Sequence, residues 1–328
     1  MTDHKQRLLG YSCRSRAIQY PIHMNAIQKI RLLHERARAS GHSGALLITG
    51  LTGSGKSTLI REYQAEHPPV DEEDRIRVPV LSVETPAAPT VKNLVETILI
   101  AIGDPMSHRG SAEEKTQRIY HLLKVCGVEL LMIDEFQHFF EHSRRNEVHH
   151  VTDWLKNLLN KAGIPVVLIG LPYSEQVLRL NVQLARRFSS RYYLRPFGFS
   201  SSREIQEFRG VLSVIENSLP LPSVPLSTPE MALRFHCASY GLIDFIGKIV
   251  DGAVLLAYQR DYERLDERVF AEAFEEEIWR EVPPERNPFI VKQELLRPLT
   301  GPGEPFSLIE AAVLRNIGRA KSHNSGGK

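Results

Sequence analysis

Residues 45–58 read Ala45-Leu46-Leu47-Ile48-Thr49-Gly50-Leu51-Thr52-Gly53-Ser54-Gly55-Lys56-Ser57-Thr58. The first five form a short apolar run of the kind that makes a strand covered on both faces. The rest fits G-x-x-x-x-G-K-[ST] at every fixed position, and the stretch to about residue 66 carries helical spacing. Glycine gives such a loop the backbone angles that aim successive N–H groups inward, and the following helix adds the positive end of its dipole. A strand, this loop and a helix together predict a phosphate cradle. Gly50 through Thr58 are the expected nucleotide-binding residues. Lys56 reaches the β- and γ-phosphates, and Ser57 ligates Mg2+.

A second signal lies further along the chain. Leu130-Leu131-Met132-Ile133 is fully apolar and ends in Asp134-Glu135. Carboxylates delivered at the C-terminal end of a buried strand sit where ligands of open parallel sheets bind. Asp134 is the expected partner of Mg2+, and Glu135 the residue that orients and polarises the attacking water. Phosphoryl transfer needs mainly positioning and charge neutralisation, which this pair and Lys56 supply. The cofactors implied are ATP and Mg2+.

Around these motifs the pattern alternates. Residues 22–40 read as a helix and 78–83 as a strand. Helices follow at 91–102 and 113–125, a strand at 129–133, a helix at 148–161, a strand at 165–169 and a short strand at 192–194. Alternation of this kind predicts an α/β fold, a doubly wound parallel sheet. Beyond about Ser200 only helices remain (201–217, 228–238, 242–258 and 266–279). The expected organisation is an N-terminal arm at 1–21, a nucleotide-binding α/β domain at 22–199, a helical lid at 200–282 and a proline-rich tail at 283–328. Six prolines between 283 and 305 predict an extended or disordered stretch. A short helix is expected over 306–319.

Bulk properties set limits. The 328 residues carry 41 basic and 39 acidic side chains, a net charge of +2, so no strongly basic nucleic-acid binder is announced by the total. The three cysteines, Cys13, Cys126 and Cys237, lack any CxxC pair, which argues against disulfide frameworks and zinc. No secretory signal is visible at the start, and no apolar run approaches the ~20 residues of a membrane helix. A cytoplasmic protein is expected.

Other candidates are more local. Ala185-Arg186-Arg187-Phe188 precedes the last short strand, where an arginine can reach the γ-phosphate of a neighbouring subunit as a finger does. A basic surface turn is the plainer reading. The strand at 166–169 ends in Gly170-Leu171-Pro172-Tyr173-Ser174, so the first polar side chains at a usual sensor position are Tyr173 and Ser174. Asp244 stands where a sensor arginine is common, with Lys248 one turn on. His142-Ser143-Arg144-Arg145 with His149-His150 completes no metal spacing and reads as a solvated loop.

Taken together, the chain resembles the TniB/TnsC family of AAA+ transposition regulators over roughly residues 15–290. The resemblance rests on Gln19-Tyr20-Pro21, the phosphate loop, Ile133-Asp134-Glu135-Phe136-Gln137-His138, the Arg186-Arg187-Phe188 box, the short helical lid and Asn287-Pro288-Phe289. It implies an AAA+ P-loop fold and an ATPase that assembles as rings or helical filaments on double-stranded DNA. Implied partners are a DDE transposase and a TniQ/TnsD-type target selector, with further copies of the chain and no membrane. It also implies DNA contacts in the segment 85–115, where Lys92, Arg109 and Lys115 are the candidates. Lys92 is equally readable as a solvated lysine on an amphipathic helix. The apolar residues of the tail (Phe289, Ile290, Leu295, Leu296, Leu299 and Phe306) suggest a docking peptide.

Two other function classes fit the same motifs. One is a P-loop switch that acts on a protein partner without DNA, which the near-neutral charge favours. The other is a helicase loader, for which residues 1–21 look short.

Overall fold

The computed structural model describes residues 3–15, 18–41, 43–141, 145–179 and 181–309. They form two compact units, Ile22–Leu194 and a second made of the residues up to Pro21 with those from Arg195 onward.

In the first unit, the order is α2 (Pro21–Ser40), β1 (Ala45–Gly50), α3 (Lys56–Ala65), β2 (Val70–Asp71), β3 (Ile76–Arg77), β4 (Val80–Glu84), α4 (Val91–Ala101), α5 (Ala112–Val125), β5 (Leu130–Asp134), α6 (His138–Glu141), α7 (Arg145–Lys161), β6 (Val166–Gly170), α8 (Glu175–Arg179), α9 (Val182–Arg187) and β7 (Ser190–Leu194). The helix α1 (Asp3–Leu9) precedes them in the other unit. Five strands make a parallel sheet in the order β4-β5-β6-β1-β7. β1 lies between β6 and β7, with Ala45 opposite Val166 and Leu46 opposite Ser190. The chain leaves β1 for the far edge at β4 and returns through β5 and β6. Ligands bind at such reversals of strand order, beyond the C-terminal ends.

The strands are apolar because helices cover both faces. Leu46–Ile48, Leu130–Ile133 and Val166–Ile169 are all buried. Leu94, Val95, Ile98 and Leu99 of α4, Ile119 and Leu123 of α5, and Leu155 and Leu158 of α7 pack with Leu47, Leu131, Ile133 and Leu168 in one core. Each such side chain contributes roughly 1.5–3 kcal/mol of burial. The helix starts are written locally. The Thr90 hydroxyl accepts from the Asn93 N–H, and Ser111 with Glu114 forms a reciprocal capping box at α5. β4 begins at Val80 and not at Val78, since Pro79 has no N–H to give the ladder. The two-residue hairpin β2–β3 has no counterpart in the sequence pattern. It is tied by Glu72 to Arg75 and Arg77.

The second unit holds α10 (Ser202–Ser218), α11 (Pro229–Ser239), α12 (Ile243–Arg260) and α13 (Glu267–Glu277). The start of the chain is anchored here. Asp251 of α12 accepts from the Cys13 N–H at 2.5 Å, the Ser12 hydroxyl at 3.2 Å and the Arg14 guanidinium at 3.0 Å.

The proline-rich stretch departs from expectation: residues 283–306 are packed. The Asn287 side-chain amide donates to the Ala271 carbonyl at 3.0 Å, while its oxygen accepts from the Phe289 N–H at 3.1 Å. Phe289 sits among Phe235, Phe270 and Phe274. Buried Arg234 donates to the carbonyls of Pro288 and Val291 at 2.7 and 2.9 Å. Phe306 is fully buried against Tyr240 and Phe245. Prolines fixed the backbone without preventing burial, because the Arg234 guanidinium of α11 satisfies two of its carbonyls and the Ala271 carbonyl of α13 takes the Asn287 amide. Of the helix expected over 306–319, the part from 310 lies outside the described residues.

Candidate nucleotide site

β1 delivers the loop. At Gly50 an added Cβ would lie 2.4 Å from the Ser54 hydroxyl and 3.0 Å from the Leu194 Cβ, so the loop can fold back over the strand end only on glycine. Gly53 and Gly55 hold φ of 80° and 94°, in the left-handed region, and Gly55 caps α3. The first N–H groups of α3, from Lys56 on, therefore open onto the loop without intrahelical partners.

Lys56 is only 7% exposed, and its ammonium donates to the Gly50 and Leu51 carbonyls, both at 3.0 Å. Burial pushes its pKa down, while the charges of Glu135 and Asp134 oppose that shift. Among the described residues no carboxylate stands within ion-pair distance of it. Ser57, next along, is exposed at the helix start.

β5 delivers the acids. The Asp134 carbonyl accepts from both the N–H and the hydroxyl of Thr85, at 3.0 and 2.8 Å, which locks the ends of β4 and β5 together. The Asp134 carboxylate accepts from the Glu135 N–H at 2.8 Å. Burial pushes its pKa up to about 6, against the lowering effect of that hydrogen bond. Glu135 holds φ of 51°, unusual for a residue with a side chain. This turn reverses the chain so that the Phe136 N–H donates to the Ile169 carbonyl at 3.0 Å and the Phe136 ring is fully buried. A buried ring and a ladder hydrogen bond thus fix the backbone that carries the carboxylate.

Two residues not assigned a role from sequence close the turn. The Gln137 carboxamide donates to the Glu135 carboxylate and accepts from the Leu171 N–H at 3.0 Å, reaching from β5 to the end of β6. His138 bonds the Thr85 carbonyl at 3.1 Å through Nδ1. Their signal was the Phe136-Gln137-His138 run itself, which sequence reading used for resemblance and not for chemistry.

At the two expected sensor positions the outcome is mixed. Ser174 is fully buried beyond β6, its hydroxyl without a partner among the described residues. In the helical unit, Asp244 is paired with Lys248 at 2.8 Å. The ammonium of Lys248 also lies over the Phe245 ring, 4.9 Å from its centroid. Arg186 and Arg187 end α9 and are exposed, held by buried Leu184 and Phe188 and by the Asn181 cap. Arg187 donates to Asn160.

The candidate DNA residues separate. Lys92 and Arg109 are exposed. Lys115 is not on the surface: it is fully buried, and its ammonium is paired with Glu96. The capping box that starts α5 puts Lys115 on the face turned to α4, where the charge serves packing between the two helices. It is therefore removed from the DNA-contact candidates. Residues 142–144 of the histidine-arginine loop lie outside the described residues, while His149 and His150 are exposed.

The model of the family described as Bacterial TniB protein matches residues 9–196, more than half of the chain. The chain belongs to the TniB family. No curated protein matches it. Among solved structures, this TniB chain is similar to the Aeropyrum pernix ORC2 protein in its ADPNP-ADP complexes. The TM-score is 0.59 at 16% identity, covering 79% of this chain and 68% of that one. It is similar also to the Aeropyrum pernix ORC1 protein in complex with DNA, with TM-score 0.58, 16% identity, and 79% and 66% of the two chains covered. The third is Cdc6p from Pyrobaculum aerophilum, with TM-score 0.59, 12% identity, and 84% and 71% covered. The chain spans about two thirds of the length of these structures. At such identities the likeness carries the fold, which is that of an AAA+ P-loop NTPase. No helix among the described residues is long and apolar enough to cross a membrane.

The donor set suits a nucleotide with a divalent cation. A buried ammonium held by carbonyls, open helix N–H groups, a hydroxyl at Ser57 and a half-buried carboxylate at Asp134 match phosphate oxygens and a hard cation.

Proposed function

We propose that this TniB chain is an ATPase that assembles on double-stranded DNA to regulate transposition. The observation that carries the reading is the Lys56–Asp134–Glu135 constellation at the strand ends, in a chain of this family. Bound ATP with Mg2+ supplies the scissile phosphoanhydride and neutralises charge on its oxygens. The loop from Gly50 to Thr58 binds the phosphates through its N–H groups, and Lys56 exchanges its two carbonyl acceptors for phosphate oxygens. Ser57 and Asp134 hold the cation. Glu135 orients and polarises the attacking water. Arg186 or Arg187, exposed at the end of α9, is the finger offered to the site of an adjacent copy, which makes nucleotide part of the subunit contact. Lys92 and Arg109 contact the DNA backbone without reading sequence. The assembly bridges a TniQ/TnsD-type selector to a DDE transposase in the cytoplasm.

Among the described residues of the tail, Ile290, Leu295 and Leu308 are exposed apolar side chains open to a partner, while Phe289, Leu299 and Phe306 are buried inside the helical unit.

Electron microscopy of the chain with duplex DNA, plus and minus a non-hydrolysable ATP analogue, tests this reading. Rings or filaments on the duplex that require nucleotide support it. No DNA-dependent assembly across a salt series would leave a nucleotide switch acting on a protein partner.

A further inference from the structure

Glu135 has two neighbours that constrain it, its own strained backbone and the side chain of Gln137. A carboxylate at the end of a strand otherwise swings freely about its side-chain torsions, and a general base that swings loses most of its effect. Gln137 is 2% exposed, so its carboxamide must satisfy its hydrogen bonds inside the protein. It does so asymmetrically. Its NH2 donates to the Glu135 carboxylate, and its oxygen accepts from the Leu171 N–H at 3.0 Å. The amide cannot be flipped without setting its oxygen against the carboxylate and its NH2 against an N–H donor, so the network itself fixes the orientation. Space is reserved for it as well: a Cβ at Gly170 would stand 2.6 Å from the Gln137 oxygen and 2.5 Å from the Ser174 hydroxyl.

We propose that Gln137 is the positioning residue for Glu135. Its carboxamide ties the carboxylate to the turn that follows β6, so that the orientation of Glu135 depends on the placement of Gly170–Ser174. This deepens the ATPase reading above and rests on it. Lys56 and Asp134 face the same carboxylate through their charges but lie on the phosphate side, so they do not replace the tie to β6.

The test is ATP hydrolysis by the full chain, with and without duplex DNA, alongside nucleotide affinity. Gln137→Met keeps volume and removes both hydrogen bonds. The expected result is a fall in kcat of about tenfold or more with the Kd for ATP within about twofold of the parent. Glu135→Gln should lose more. The double variant Glu135→Gln/Gln137→Met should be no slower than Glu135→Gln alone, because Gln137 acts only through Glu135. A purely structural glutamine would instead give losses that multiply, together with weaker nucleotide binding.

Leu171→Pro supplies a second route should the methionine variant fold poorly. Leu171 holds φ of −73°, which proline adopts without strain, so the N–H that Gln137 accepts from is removed together with a half-buried leucine side chain and without backbone distortion. A smaller loss of kcat is expected there. Unchanged kcat in Gln137→Met and Leu171→Pro, multiplying losses in the double variant, or a change confined to Kd overturns the proposal alone. Hydrolysis by Glu135→Gln at the parental rate, or none by the parent under either condition, overturns the ATPase reading and the proposal with it.

Discussion

Two lysines are buried in the α/β unit, and they are buried for opposite reasons. Lys115 lies between α4 and α5 with no exposed surface and its charge paired with Glu96. Lys56 lies under the phosphate loop with only the carbonyls of Gly50 and Leu51 as acceptors, and its pKa is pushed down by that burial. A buried charge with a carboxylate partner is a finished piece of structure. A buried charge with only neutral acceptors costs free energy, a cost that the proposed phosphate ligand would offset. The helical hairpin is thus internally complete, and the loop is complete only toward an anionic ligand.

Exchanging the two residues' fates gives the largest expected contrast. Lys56→Ala should reduce ATP hydrolysis by on the order of a hundredfold or more, as loss of a transition-state charge partner does, while leaving the melting temperature without nucleotide near the parent's. Lys115→Ala should do the reverse. It leaves Glu96 without its main partner and opens a hole between α4 and α5, so a stability loss of about 2–3 kcal/mol is expected, with nucleotide affinity retained. Denaturant unfolding read beside hydrolysis separates the two. A Lys115 variant that is stable but fails to bind DNA would break the comparison.

A finer version uses pH. Asp134 is the acid that burial raises to about 6, above its ordinary 3.8. The folded chain then binds more protons than the unfolded one between those values, so this group's contribution is most favourable at low pH and is lost as pH rises through about 6. Asp134→Asn removes that cost. Without nucleotide, the variant should be more stable than the parent at pH 7.5, by up to on the order of 2 kcal/mol, with the difference fading near pH 4. The thermal shift produced by MgATP should be lost in the same variant. A variant destabilised at pH 7.5 would show that the carboxylate is structural, like Lys115.

The smallest effect concerns the outer face of the hairpin. Charge reversal at Lys92 together with Arg109 should weaken DNA binding, with the slope of log affinity against log salt falling by about one per residue removed. Hydrolysis without DNA should be untouched. An unchanged slope would place the DNA surface elsewhere.

How much of this was written in the chain differs by element. Gly50–Thr58 and Asp134–Glu135 were legible because their chemistry is carried by backbone geometry at the ends of apolar runs, and both are local properties. The five strands of the parallel sheet were legible for the same reason, to within a residue or two, while the β2–β3 hairpin was not. Lys115 was not: whether a lysine on an amphipathic helix faces solvent or a neighbouring helix depends on where the neighbour packs. The 283–306 stretch misled in the same way. Its prolines report backbone restriction, while the burial of Phe289 and Phe306 depends on α11–α13 having left room for aromatic rings.

By itself, then, the sequence determined the parallel α/β architecture, the phosphate loop and the acidic pair, since each follows from periodicity or from residues adjacent in the chain. Only the tertiary structure decided that β1 sits between β6 and β7. It alone decided that Gln137 spans from Glu135 to Leu171, and that one candidate surface lysine is a core ion pair. Those are contacts between residues far apart in the chain or on facing elements, and no local pattern specifies which partner will be there.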